Sequence, residues 1–290
     1  MTEIRKVSVI GAGTMGHGIA QACAQAGAEV SLVDVKMEQL EAALAKIENS
    51  LAKLRDKGKI SPEEVRAALK RIRVSTDAIE ASQDAELVIE AIPERLDLKI
   101  EVLSRISQVL SARAIIATNT SSLPVTEIAA NTAHPERVIG LHFFNPVPIM
   151  ELVEVVRALQ TSPSTIEESV NFLRKLGKQS IIVRDTPGFA TTRLGVLLGC
   201  EAIRMLEQGV ASAEDIDRGM ELGYRHPMGP LKLTDLVGLD VRLMILEHLY
   251  RELGEAFRPP HLLRQMVRAG LLGRKSGKGF YVYDRGSGGS

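Results

Sequence analysis

A β-branched run at residues 6–10, "KVSVI", passes without a break into "GAGTMG", residues 11–16. Few short stretches restrict a fold more. A strand that ends in G-x-G-x-x-G and opens a helix is the first turn of a dinucleotide-binding βαβ unit. Gly11 allows the tight turn, Gly13 lets backbone approach a pyrophosphate, and Gly16 lets the helix pack closely on its strand. The helix start adds unpaired N–H groups and a positive dipole end. A second strand, "EVSLVD", ends at Asp34, eighteen residues past Gly16. Its carboxylate can accept from a ribose 2′-hydroxyl and repels a 2′-phosphate, so NAD is expected over NADP. FAD shares the fingerprint, but the further nucleotide-binding segments of a flavoenzyme are absent from the sequence. Gly11, Gly13, Thr14, Met15, Gly16 and Asp34 are the expected cofactor contacts.

Beyond this unit, strand-like runs alternate with helical patterns as far as about residue 185. A polar helical stretch covers roughly 36–71, followed by "AELVIEAI", "AIIATNTSS", "RVIGLHFF", "MELVEVV" and "QSIIVRD" with helices between. Alternation of this kind predicts an α/β fold with a largely parallel, doubly wound sheet. At "DTPGFATTR" the pattern changes, and helices are predicted over 189–208, 213–222, 231–253 and 260–269. The expected organisation is a Rossmann-type domain over 1–186, an all-helical domain over 187–284, and a Gly/Ser-rich disordered tail over 285–290.

Composition excludes several classes of function. Thirty-six Lys and Arg balance thirty-six Asp and Glu, so no global field favours nucleic acid or a membrane surface. No run of about 20 apolar residues is long enough to span a bilayer. Two cysteines, Cys23 and Cys200, lie in apolar helical runs, which fits reduced thiols and a cytoplasmic location. The chain opens directly into a strand, without the apolar core of a secretory leader. None of the six histidines forms H-x-H or H-E-x-x-H, so no metal site is expected.

His142 stands apart from the other histidines. It lies on the apolar run "VIGLHFF", and twelve residues later Glu154 lies on "MELVEVV". The Pro-rich turn between the runs reverses the chain. A hairpin centred near Pro148 sets the two residues opposite each other, with Cβ atoms within about 5.5 Å. A carboxylate there can hold one imidazole N–H, leave the other nitrogen free, and stabilise the imidazolium. Oxidation of an alcohol by a nicotinamide cofactor needs such a base, because the hydroxyl proton leaves as hydride departs. A purely structural hydrogen bond is the alternative.

"GAGTMG", "TNTSSLP", "GLHFFNPVPIMELVEVV", "DTPGF", "HPMGP" and "GRKSGKGFY" together resemble the L-3-hydroxyacyl-CoA dehydrogenase family, in order and over nearly the whole chain. The resemblance implies NAD-dependent interconversion of (S)-3-hydroxyacyl-CoA and 3-oxoacyl-CoA by a homodimer joined through its helical domain. Carried over by position, it makes His142 the base, Glu154 its partner, and Ser121 a hydrogen-bonding partner of the substrate oxygen. It puts Asn145 beside the nicotinamide, Glu94 and Lys99 near the cofactor ribose, and Lys275 at the same site. Ser50 and Lys57 match positions that contact coenzyme A. They lie in residues 46–73, where nine Lys and Arg face four Asp and Glu, a local patch suited to an anionic ligand. Read without the resemblance, Glu94 and Lys99 are solvated charges at a helix start, and the basic stretch is a solvated helical hairpin.

One position departs from the family pattern. After "DTPGF" the family has Asn-Arg, and here Thr192 stands before Arg193. Threonine has a shorter reach and one donor, which bears on substrate and rate more than on the reaction. Two further functions stay open: a dehydrogenase of a small free hydroxy acid or sugar acid, and a non-catalytic NAD-binding structural protein.

Overall fold

The computed structural model describes residues 3–283; the tail expected over 285–290 lies outside them. The chain divides between Thr186 and Pro187 into two compact units.

The first unit carries eight strands: β1 (Lys6–Ile10), β2 (Glu29–Val33), β3 (Ile72–Ser75), β4 (Leu87–Glu90), β5 (Ile115–Thr118), β6 (Val138–Phe143), β7 (Leu152–Arg157) and β8 (Gln179–Arg184). They form one sheet in the order β3-β2-β1-β4-β5-β6-β7-β8. Every neighbouring pair is parallel except β6 with β7. Six helices connect them: α1 (Gly16–Gln25), α2 (Met37–Asp56), α3 (Pro62–Lys70), α4 (Leu96–Ser107), α5 (Val125–Ala130) and α6 (Pro163–Lys175).

Central strands such as Leu87–Glu90 and Ile115–Thr118 are buried at every position. A parallel strand covered on both faces needs that continuous apolar run. α1 shows why its sequence is so rich in small residues. A Cβ on Gly18 would stand 3.0 Å from Val147 Cβ, and Ala20, Ala22, Cys23 and Ala24 are all buried.

Two features of the first unit differ from the sequence expectation. The helical stretch 36–71 is two helices, because Gly58 adopts φ +66° and Ser61 starts a new helix. Ser61 and Glu64 form a reciprocal capping box with Pro62 at the first turn, a strong local start signal. The basic run then continues into β3, whose residues alternate too weakly to announce a strand.

Among the described residues the second unit holds five α-helices: α7 (Thr191–Glu207), α8 (Ala213–Arg218), α9 (Pro230–Val237), α10 (Leu239–Leu253) and α11 (His261–Arg268). Val196, Ile203, Leu231, Leu246, Leu249 and Leu263 form its core. The apolar stretch expected as one helix over 231–253 breaks at Gly238, whose φ of +105° ends α9. Ser212 accepts the Asp215 N–H and starts α8, as expected for an N-cap serine.

Two buried aspartates account for two motifs of the sequence. Asp217 is fully buried and accepts the N–H groups of Leu231 at 2.8 Å and Lys232 at 3.0 Å, capping α9 from outside it. A Cβ on Gly229 of "HPMGP" would stand 2.2 Å from the Asp217 Cγ, so only glycine leaves room. Asp235 accepts the N–H groups of Phe280 and Tyr281, each at 3.0 Å, and the Tyr283 hydroxyl at 2.9 Å. "GKGFY" is thereby strapped onto α9.

Candidate active site

In an open α/β sheet, ligands meet the carboxyl ends of the strands where the strand order reverses. Here that point lies between β1 and β4. The loops after β1, β4, β5 and β6 converge on the same end of the sheet and carry most of the residues singled out in the sequence.

The first loop has the geometry its glycines require. Gly11 has φ +101°, and a Cβ there would stand 2.7 Å from Ala91 O. A Cβ on Gly16 would stand 1.7 Å from Gly11 O, so helix and turn touch. Gly13 differs, because nothing lies within 4 Å of the site of its missing Cβ. The loop is closed against the sheet at two glycines and open to a ligand at the third. Thr14 is exposed, Met15 half-buried, and α1 starts at Gly16 without a side-chain cap. Asp34 accepts the Ala12 N–H at 2.9 Å through Oδ2, tying the end of β2 to the glycine loop. These features fit a dinucleotide.

The β6–β7 ladder pairs His142 directly with Glu154. Nδ1 of His142 lies 2.7 Å from Glu154 Oε2. Glu154 is fully buried and His142 is 8% exposed. With a carboxylate as its partner, Nδ1 carries the proton, which makes Nε2 the basic nitrogen. The Phe143 N–H donates to Asn119 Oδ1 at 2.9 Å. Asn119 thus joins the histidine strand to the loop after β5, where Ser121 lies.

Ser121 is held by Glu94. Glu94 Oε1 accepts the Thr120 hydroxyl at 2.6 Å, the Ser121 N–H at 2.9 Å and the Ser121 hydroxyl at 3.2 Å. Lys99 lies behind Glu94, 1% exposed, with Nζ 3.2 Å from Glu94 Oε2 and 2.6 Å from Glu90 Oε1. Neither Glu94 nor Lys99 is the solvated helix-start charge that the motif alone allows. Burial raises the Glu90 carboxyl above its ordinary range, against the Lys99 charge. Burial also opposes ionisation of Glu94, but Lys99, the Thr120 hydroxyl and the Ser121 N–H hold it below its ordinary value.

The remaining candidates lie on other elements. Asn145 is exposed on the turn after β6, and its peptide bond to Pro146 is cis. Ser50 is half-buried on α2, and Lys57 is exposed at its C-terminal end. Thr192 and Lys275 belong to the second unit. Thr192 is half-buried in the first turn of α7, and Lys275 Nζ donates to the Asp240 carboxylate at 2.6 Å. Among the described residues, no group of three or more His, Cys, Asp or Glu could hold a metal ion. In the same range no helix is long and apolar enough to cross a membrane.

Sequence reasoning missed Glu90, Thr118 and Asn119. A signal for Glu90 was present: it is the one charge on a strand that is otherwise wholly apolar, with a lysine nine residues on. Thr118 donates to Glu90 Oε2 at 2.6 Å.

The sequence matches two family models. One, the NAD-binding domain of 3-hydroxyacyl-CoA dehydrogenase, covers residues 6–186, and the C-terminal domain of the same family covers 188–283. A probable 3-hydroxybutyryl-CoA dehydrogenase of Bacillus subtilis is 47% identical over 283 residues, 97% of this chain and 98% of the relative. The 3-hydroxybutyryl-CoA dehydrogenase of Bradyrhizobium diazoefficiens is 44% identical over 281 residues, 97% and 96% of the two chains. The crystal structure of (S)-3-hydroxybutyryl-CoA dehydrogenase from Ralstonia eutropha superposes with a TM-score of 0.94 at 45% identity, covering 98% of this chain and 100% of that one. Both halves of the chain, and the fold they adopt, therefore agree: the chain belongs to the NAD-dependent 3-hydroxyacyl-CoA dehydrogenase family.

Proposed function

We propose that this enzyme interconverts (S)-3-hydroxyacyl-CoA and 3-oxoacyl-CoA, with the four-carbon 3-hydroxybutyryl thioester as a substrate. The observation that carries the mechanism is the buried His142–Glu154 pair, 2.7 Å apart on β6 and β7 of the sheet that carries the dinucleotide loop. NAD, when bound, supplies the hydride acceptor. His142 takes the hydroxyl proton through Nε2 as the C3–H bond breaks, and Glu154 stabilises the imidazolium. In the reverse direction His142 returns that proton to the new hydroxyl. Ser121 hydrogen-bonds the substrate oxygen, and Asn145 faces the same region from the turn after β6. Thr192 offers a hydroxyl where the family uses an amide.

The basic α2–α3 region, with Ser50 and Lys57, receives the anionic part of coenzyme A. Glu94, Lys99 and Lys275 serve the cofactor side. We further propose a homodimer joined through the helical unit, supported by the exposed Leu236, Val237 and Met244 of α9 and α10. A cytoplasmic location suits the two free, buried cysteines.

The test follows NADH oxidation with acetoacetyl-CoA, longer 3-oxoacyl-CoA thioesters and free acetoacetate. Turnover of the thioester well above the free acid is expected. Preferential turnover of the free acid would support the small-acid function, and NADH binding without turnover the non-catalytic one.

A further inference from the structure

The charges beneath Ser121 form a continuous chain through the interior. Glu90 ends β4, Lys99 lies on the first turn of α4, and Glu94 lies on the loop between them. Glu90 and Lys99 are fully buried. A buried ion pair is a poor source of stability, because desolvation of both charges consumes most of what their attraction supplies. Its presence calls for another explanation.

Each member of this chain is fully occupied. Glu90 Oε1 accepts Lys99 Nζ at 2.6 Å and the Ile92 N–H at 2.7 Å, while Oε2 accepts the Thr118 hydroxyl at 2.6 Å. Lys99 Nζ donates to Glu90 and to Ile92 O, at 2.6 and 3.3 Å, and stands 3.2 Å from Glu94 Oε2. Only Glu94 reaches the surface, with 26% of its side chain exposed. Its Oε1 holds both the N–H and the hydroxyl of Ser121. Two donors from one residue on one oxygen fix that residue's backbone and side chain together. The Thr120 hydroxyl, donating to the same oxygen, accepts the Leu123 N–H at 2.9 Å and steadies the following turn.

We propose that Lys99 is a positioning residue for the reaction: its buried ammonium, seated against Glu90, keeps Glu94 anionic and immobile, and Glu94 in turn fixes Ser121 at the substrate oxygen. This rests on the role proposed for Ser121. A neutral Glu94 would lose acceptor strength toward three donors at once, because hydrogen bonds to a charged group are about twice as strong as neutral ones. Lys99 prevents this. It faces Glu94 from α4 and Glu90 faces Lys99 from β4, while β5 and its loop bring only the uncharged Thr118, Thr120 and Ser121. Without the ammonium, only the Thr120 and Ser121 donors oppose burial, and Glu94 takes a proton at higher pH.

The experiment measures kcat and kcat/KM for acetoacetyl-CoA reduction from pH 5.5 to 9, with NADH affinity by fluorescence, in the full-length enzyme. In Lys99→Met, assayed at saturating NADH, the acid limb of kcat/KM for the thioester is expected to move up by about one pH unit or more. Lys99→Arg keeps the charge and should restore the limb. Glu90→Gln leaves the ammonium to Glu94 alone, so its acid limb should stay in place or move down. An unmoved limb in Lys99→Met, or an upward shift shared by Lys99→Met and Glu90→Gln, overturns the proposal.

Should Lys99→Met fail to fold, Glu94→Gln reports on the same link. It mimics the protonated acid and should lower kcat at pH 8 by about fivefold or more, the worth of one hydrogen bond. Weakened NADH binding with unchanged kcat in Glu94→Gln would make Glu94 a cofactor ligand only, and overturn the proposal. Failure of the parent enzyme to turn over any 3-oxoacyl-CoA would instead refute the proposed function.

Discussion

His142 and Glu154 are direct partners on one rung of the antiparallel ladder, twelve residues apart in sequence and 2.7 Å apart in space. The imidazole is almost buried and the carboxylate wholly so, so water cannot replace either partner cheaply. His142→Gln should lower kcat by roughly 10²–10⁴, the usual contribution of a general base, while NADH affinity stays within a few-fold. Glu154→Gln should lower kcat as well, because a neutral amide cannot stabilise the imidazolium. Near-parental turnover by His142→Gln would remove the acid–base assignment.

The three glycines of the first loop should respond to alanine in different ways. Gly16→Ala places a methyl 1.7 Å from a backbone oxygen, and should cost more than about 3 kcal/mol of stability. Gly13→Ala meets nothing within 4 Å. It should leave Tm within about 2 °C of the parent and weaken NADH binding. Thermal melts with and without NADH check both; a large Tm loss in Gly13→Ala without cofactor would contradict an open cradle.

Asp34 should set the choice between the two nicotinamide cofactors. It borders the glycine loop through the Ala12 N–H, so a 2′-phosphate there would face a fixed negative charge. Replacement by serine should narrow the NADH-over-NADPH ratio of kcat/KM by something on the order of tenfold. Comparable efficiency with NADPH in the parent enzyme would refute the assignment.

Thr192→Val keeps shape and deletes the hydroxyl. If that hydroxyl bonds a transition-state group, kcat/KM should fall by about 1–3 kcal/mol, roughly 5- to 150-fold. Thr192→Asn should be tolerated. A Val variant equal to the parent would reduce the position to packing.

Cys23 is fully buried, and burial pushes its thiol up to about 12 from an ordinary 9.0. Between those values the folded chain keeps a proton that the unfolded chain has lost. The unfolded state therefore binds fewer protons, and stability falls as pH rises through that window. Urea unfolding from pH 8 to 11 should show the decline, and Cys23→Ala should lessen its slope. A thiol reagent at neutral pH should leave Cys23 unmodified until the chain unfolds.

Periodicity and turn chemistry made most of this architecture legible. The β1–α1 turn, the alternation up to residue 185 and the change to helices are local signals. The facing of His142 and Glu154 was legible too, because a Pro-rich reversal between two short apolar runs leaves few registers. β3 was not, since four residues of mixed polarity continue a basic helical pattern. The break at Gly238 was masked by apolar residues on both sides. Glu90 and Lys99 were hardest. A charged side chain reads as solvated until the fold encloses it, and the partners that make enclosure tolerable come from separate segments. Asn119 likewise gains its meaning only where β5 and β6 lie side by side.

The reversal between β6 and β7 bears on how freely such a protein can diverge. β7 is paired on its other side with β8, Glu154 opposite Ile181, and β6 with β5. Both strands are thus paired on each side within the sheet, and the β6–β7 ladder itself sets His142 against Glu154. Val147 is buried against α1, but Ile149 and Met150 at the tip are exposed and can change without disturbing that ladder. The exposed tip of the turn can thus evolve separately from the proton-transfer pair, which leaves descendants of this design a surface to vary without relearning catalysis.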